Sequence, residues 1–194
     1  MKNLINKHFR ESSEIIKLMQ DNSNEIKKII NLILKCKKKK KKILVAGNGG
    51  SSADAEHFTG ELICTFNDRR REPLSALCLS NHSAAITAWS NDFGYETYFK
   101  RQVESHGERG DLLILLSTSG GNKNASMNLV HAAKIAKKKG LKVISLIGKT
   151  GGILKKISDI KIIVKSFVTA YIQEAHMSVL HCICVCLDEE LKKK

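Results

Sequence analysis

Five short apolar runs limit what this chain of 194 residues can fold into more than any other feature. They are ILVA at 43–46, LSALCL at 74–79, LLILL at 112–116, KVISLI at 142–147 and IKIIV at 160–164. Runs this short and apolar on both faces suit strands covered on both sides, the habit of a parallel sheet. Parallel neighbours need long crossovers, usually helical. The intervening segments carry helical spacing and predict crossover helices at 52–64, 83–90, 122–139 and 150–157, with a last helix over 171–190. The expected architecture is α/β: a three-layer, doubly wound sandwich on a five-stranded parallel sheet. The single proline, Pro73, sits just before the second run, where it breaks no ladder.

Ahead of the first run, Leu4, Ile5, Phe9, Ile15 and Ile16, then Ile26, Ile29, Ile30 and Ile33, recur at helical spacing over 2–19 and 24–36. The polar DNSN at 21–24 breaks the pattern and offers an N-cap. The chain therefore reads as one domain, 1–194, with 1–40 as a helical extension suited to packing against a partner subunit. No internal repeat or long linker interrupts it.

Composition narrows the function classes. A net charge of +14 invites a nucleic-acid reading. Much of that charge, however, lies in Lys35–Lys42, interrupted by Cys36, in Lys192–Lys194, and on presumed solvent faces such as Lys134 and Lys137–Lys139. Aromatic residues make up only 5% and do not interleave with the basic ones, so no base-stacking platform is expected. The reading is solvated lysines and a field that attracts anionic substrates, with no nucleic-acid partner. Six cysteines, at 36, 64, 78, 182, 184 and 186, include no CxxC pair and read as ordinary thiols. Alternate residues on a helix point about 200° apart, so Cys182, Cys184 and Cys186 cannot all face one ion. No continuous apolar run reaches the roughly 18–20 residues of a membrane span, and the polar N-terminus lacks a signal-peptide core. A cytoplasmic protein without a membrane partner is expected.

Two loops stand where open α/β sheets bind ligands, beyond the carboxyl ends of strands. Gly47-Asn48-Gly49-Gly50-Ser51-Ser52 follows the first strand, and Ser117-Thr118-Ser119-Gly120-Gly121-Asn122 follows the third; each is expected to open a helix. Small residues and clustered hydroxyls let N–H and O–H groups converge on phosphate oxygens in the field of a helix dipole. One such loop alone also suits a plain capping turn, but two in one sheet favour a ligand. A dinucleotide fingerprint fails at Ser52, where a third glycine belongs, and no acidic residue follows the second strand at Leu79-Ser80.

Acid–base candidates follow. His57 and Glu61 are an i, i+4 pair on the helix after the first loop. The last helix carries Gln173, Glu174, His176 and His181. Gln173 and His181 lie about 80° apart around it, with His176 on the other side of Gln173, and spacing does not choose between the two histidines. A carboxylate and histidines beside phosphate-type loops suit aldose–ketose isomerisation, in which a base moves a proton between C1 and C2 through an enediol. A divalent metal held by such donors would polarise the carbonyl.

GNGGSSADAEHFTGEL (47–62), SNDFGYETYFKRQVE (90–104), GDLLILLSTSGGN (110–122) and IQEAHMSVLH (172–181) resemble the phosphoheptose isomerase branch of the SIS-domain family, in order along nearly the whole chain. The resemblance implies conversion of sedoheptulose 7-phosphate to D-glycero-D-manno-heptose 7-phosphate for surface glycans such as lipopolysaccharide or capsule. It also implies a homotetramer with active sites at subunit interfaces, and zinc. Carried over by motif, Glu61 is the base and His181 its acid/base partner, while His57, Glu61, Gln173 and His181 hold the metal. Asn48, Gly49, Gly50, Ser51, Glu61, Asp92, Ser117, Thr118, Ser119, Asn122 and Gln173 form the implied substrate-binding set. Three positions depart from the family pattern: Thr65 and Tyr171 where arginine is usual, and Asn122 where serine is usual. Arg69, Arg70 or Arg71 is the expected source of the missing charge. The alternatives are an isomerase for another sugar phosphate and a non-catalytic SIS protein that binds a partner such as the replication initiator.

Overall fold

A computed structural model describes residues 1–192, so Lys193 and Lys194 of the basic C-terminus lie outside the described residues. The five apolar runs form strands β1 (Ile43–Gly47), β2 (Ala76–Cys78), β3 (Leu112–Ser117), β4 (Lys142–Gly148) and β5 (Ile160–Val164). All pair in parallel, in the order β2-β1-β3-β4-β5. The chain winds outward from β1 in one direction to β2 and in the other to β3, so the topological switch lies between β1 and β3.

Side chains alternate across the sheet and build two cores. Val45, Leu112, Ile114, Leu116 and Leu146 face one layer, with Ile29 and Ile33 of α2 (Ser23–Lys38), Phe58 and Leu62 of α3 (Gly50–Ile63), and Ile172 and Leu180 of α8 (Thr169–Lys192). Leu44, Ala46, Leu113, Leu115 and Val143 face the other layer. There they meet Tyr98 and Phe99 of α5 (Tyr98–His106), Val130 and Ala133 of α6 (Met127–Lys139), and Leu154 of α7 (Leu154–Ile157). The strands are apolar on both faces because each face has its own helical layer. α1 (Lys2–Lys17) lies outside this sandwich against α8, with Ser12 donating to the Glu174 carboxylate and the Tyr171 hydroxyl donating to Glu11 at 3.2 Å.

Some boundaries differ from the sequence reading. The DNSN segment does not cap α2 through a side chain; a 3-10 turn, Leu18–Asn22, carries the chain round instead. α4 (Ser83–Phe93) runs three residues past the expected end and stops at Gly94. α5 was not foreseen, because it is short and lies in a segment broken by that glycine. It is fixed by tertiary contacts: Tyr98 is buried, and its hydroxyl donates to the Leu79 carbonyl at 3.0 Å. α6 begins at Met127 rather than 122, since residues 122–125 close a tight turn with two backbone bonds, Asn122 N–H to Ala125 O at 2.9 Å and Ala125 N–H to Asn122 O at 3.2 Å.

α8 has 24 residues and is long and apolar enough, by composition alone, to cross a bilayer. Its apolar face instead packs on α1, α2, α3 and the sheet. Along it Cys182 and Cys186, four residues apart, share one face while the buried Cys184 points away, so the three thiols do not converge. Burial pushes the Cys184 thiol up to about 12 and Cys36 up to about 11, and both stay protonated at neutral pH.

His176 is fully buried on α8, and burial, only partly offset by the backbone at Ile147, pushes its imidazole down to about 4. The unfolded chain takes up this proton near pH 6.5, well above the folded protein, so stability is complete above that pH and is lost as pH falls toward 4. Replacing His176 with Leu should remove up to about 3 kcal/mol of that acid-dependent loss. Urea denaturation of parent and variant at pH 7 and pH 4.5 would measure the difference; equal losses in both would refute it.

Candidate active site

β1 and β3 run in register, Gly47 opposite Leu116, so the loops that follow them emerge side by side at the switch point. The first turns at once into α3. Gly49 adopts φ +55°, Ser51 N–H bonds Asn48 O at 3.0 Å, and Ser51 is buried at the helix start. The second folds on itself. Ser117 Oγ accepts from Gly120 N–H at 3.0 Å, and Ser119 Oγ accepts from Gly121 N–H at 3.3 Å. Both hydroxyls also donate to Ser126 Oγ at 3.2 Å. This loop does not open a helix directly. Ser126, in the left-handed region at φ 58°, brings the start of α6 back over the end of β3.

A carboxamide pair joins the two loops. Asn48 Nδ2 donates to Asn128 Oδ1 at 3.0 Å, and Asn128 Nδ2 returns a bond to Asn48 Oδ1 at 2.9 Å. Burial holds the Tyr95 phenol above its ordinary range, and its O–H donates to the same Asn48 oxygen at 2.9 Å. Asn48, Tyr95, Lys123, Ser126 and Asn128 line a cavity of about 250 Å³. Ser126, Asn128 and Tyr95 were not picked from the sequence. Tyr95 lies inside the 90–104 segment, whereas Ser126 and Asn128 become visible only once the 122–125 turn is known.

The acid–base candidates gather where α3 crosses α8. His57 Nε2 stands 3.1 Å from Glu61 Oε1, and His181 Nε2 stands 3.5 Å from His57 Nε2. Phe66 stacks on the His181 ring, with centroids 5.6 Å apart and planes 28° apart. Gln173 sits in the first turn of α8, its Nε2 donating to Ser51 Oγ at 3.5 Å. That contact depends on a missing side chain: a Cβ on Gly50 would come within 2.4 Å of Gln173 Nε2. Gly50, Ser51 and Gln173 thus link the hydroxyl-lined crevice to the histidine–carboxylate set. About 9 Å of helix separates Ser51 from His57, a span that an open-chain sugar phosphate covers.

The geometry selects His181 over His176, which is sealed in the core. Other expected site residues stand apart from these contacts. Asp92 is exposed near the end of α4 and accepts from Asn91 at 2.8 Å; among the described residues no hydrogen bond joins it to either loop. Asn122 is exposed in its turn, where its side chain accepts from Asn124 N–H. Tyr171 is turned toward Glu11 and His8 on α1. The missing cation is not Arg71, which is buried against Asp188, and Arg70 points to solvent beside Asp68. Among the described residues, no group of three or more His, Cys, Asp or Glu side chains closes around a metal-sized point; His57 Nε2 stands between partners, close to both Glu61 and His181.

Known proteins share this architecture and much of this sequence. Residues 7–148 match the SIS domain family. A phosphoheptose isomerase of Helicobacter pylori strain P12 is 40% identical over 192 residues, 98% of this chain and 97% of the relative. The chain belongs to the phosphoheptose isomerase family. Solved phosphoheptose isomerases from Neisseria gonorrhoeae and Francisella tularensis superpose with TM-scores of 0.89 and 0.88 at 33% and 34% identity. The first comparison covers 97% of this chain and 98% of the other, the second 96% and 97%. In this isomerase the switch-point crevice offers hydroxyl and amide groups suited to an anionic sugar, and the α3–α8 crossing offers side chains of the types that can move protons.

A side chain at position 50 should separate these two halves. Gly50→Ala is expected to displace Gln173 and to lower kcat/KM about tenfold or more, while its thermal midpoint stays near that of the parent. Steady-state kinetics beside a thermal melt would check this, and unchanged kinetics would show that the Gln173 contact is dispensable.

Proposed function

We propose that this isomerase interconverts sedoheptulose 7-phosphate and D-glycero-D-manno-heptose 7-phosphate through an enediol, supplying heptose for surface glycans. The observation that carries the reading is the line of contacts from Glu61 through His57 to His181, next to a crevice lined by Ser51, Ser117 and Ser119. The phosphate would take donors from Ser51, Ser117, Thr118, Ser119 and the nearby N–H groups. Glu61 removes a proton from C1 while His181 gives one to the C2 oxygen, forming the enediol. His181 then takes the proton from the C1 oxygen as Glu61 returns its own to C2. Atoms and charge balance without a further reactant.

Two imidazoles, a carboxylate and an amide oxygen from His57, His181, Glu61 and Gln173 make a donor set that suits zinc. Tetrahedral zinc holds neighbouring donors about 3.3 Å apart, and the two contacts here, 3.1 and 3.5 Å, bracket that spacing. When bound there, zinc would polarise the substrate carbonyl. A homotetramer with active sites at subunit interfaces is part of the same reading. In its support, α1 leaves Leu4, Ile5 and Phe9 exposed although they repeat at helical spacing. A helix with apolar residues turned outward fits one that a second copy covers.

The direct test follows sedoheptulose 7-phosphate by NMR, with and without added zinc. Parent enzyme should turn it over, and Glu61→Gln and His181→Ala should each lose about 10²–10⁴-fold in kcat. No turnover by folded parent under either condition would refute the substrate assignment. For assembly, Leu4→Glu combined with Phe9→Glu should lower the mass measured by light scattering from four chains to fewer. An unchanged mass would refute the role of α1.

A further inference from the structure

Arg71 and Asp188 are each only 2% exposed, and Arg71 Nε lies 2.8 Å from Asp188 Oδ1. The other ends of both groups are taken by backbone. Arg71 NH1 donates to the carbonyls of Leu62 at 3.2 Å and Glu72 at 3.1 Å. NH2 donates to the carbonyls of Glu61 and, at 3.3 Å, Cys64. Asp188 Oδ2 accepts from the N–H groups of Asn67 at 2.7 Å and Asp68 at 2.8 Å. One ion pair therefore fastens the last turn of α3, the 64–72 segment and α8 together.

Its position relates it to the acid–base set. The Glu61 carbonyl is held by Arg71 while the carboxylate of the same residue faces His57. Asp188 lies seven residues beyond His181, two turns along nearly the same face of α8. Between them, the segment anchored at Asn67 and Asp68 holds Phe66 flat against the His181 ring. Burying two charges gains little stability over an apolar pair of the same volume. A planar fork with fixed donor directions, by contrast, sets positions that an apolar contact would leave loose.

We propose that the Arg71–Asp188 pair is a positioning clamp, which sets Glu61 on α3 against His181 on α8 and keeps Phe66 on the His181 ring. The proposal rests on the reading of Glu61 and His181 as the acid–base pair. Neither clamp residue touches the crevice, so the effect belongs in kcat rather than in binding.

Two variants test it. Arg71→Lys keeps a cation opposite Asp188 but loses the fork to the α3 carbonyls. Arg71→Met with Asp188→Leu removes both charges at once, so no lone buried charge is left to unfold the chain if the first variant fails to fold. Folded variant enzyme should lose about 10- to 100-fold in kcat with KM changed less than about threefold. Its His181 ring-proton NMR signals should also move away from the shifts that stacking on Phe66 imposes. Parental kcat would overturn the proposal, and so would a loss of kcat with the His181 signals unmoved, because the loss would not then pass through this geometry. Parental turnover by Glu61→Gln and His181→Ala would instead sink the acid–base reading, while the ring signals still report whether the clamp holds Phe66.

Discussion

The parallel pairing of β1 with β3 places Gly47 beside Leu116, and two loops of small and hydroxyl residues leave the sheet together. Every later feature of the crevice depends on that register. A slip of β1 by one residue would turn Val45 away from the layer of α2, α3 and α8 and into the other core. With the register held, Asn48 and Asn128 can close their reciprocal amide pair, and Ser117 and Ser119 can share Ser126. The outer strands β2 and β5 contribute no residue to this cluster; they complete the sheet that holds β1 and β3 in place.

The proposed acid–base set sits one layer away, on two helices that are far apart in sequence. α3 leaves the first loop directly, so its start belongs to the crevice and its second half carries His57 and Glu61. α8 reaches the same place from the far end of the chain, with Gln173 in its first turn and His181 further along. They are fastened at two ends, by Gln173 over Gly50 near the crevice and, at the far end, by Asp188 through Arg71, which holds the α3 carbonyls. The histidine–carboxylate contacts lie between these two fastenings.

Much of this was legible in the sequence, for identifiable reasons. The strands showed because a parallel sheet is buried on both faces, which leaves unbroken apolar runs between helical segments. His57 and Glu61 showed because i, i+4 spacing on one helix fixes neighbours without further information. α5 and the late start of α6 did not show. The one is a short helix held by the buried Tyr98 and its bond to the Leu79 carbonyl, the other is displaced by a turn whose two backbone bonds have no residue signature. Asp92 stands apart because the motif around it reaches the crevice through Tyr95, three residues later, while its own side chain stays with Asn91.

By itself the sequence determined the α/β class, the two loops of small and hydroxyl residues, the pair of N-terminal helices and the residue types available for proton transfer. Those depend on local periodicity and on the order of glycines and hydroxyls, which a linear pattern records. Only the tertiary structure decided that His181 and not His176 meets His57, because the choice depends on which face of α8 the sheet buries. It also decided that Arg71, one of three consecutive arginines, is locked onto Asp188 and the α3 carbonyls while Arg70 points to water. Neighbours in sequence carry the same charge and the same side chain; burial distinguishes them, and burial is set by residues more than a hundred positions away.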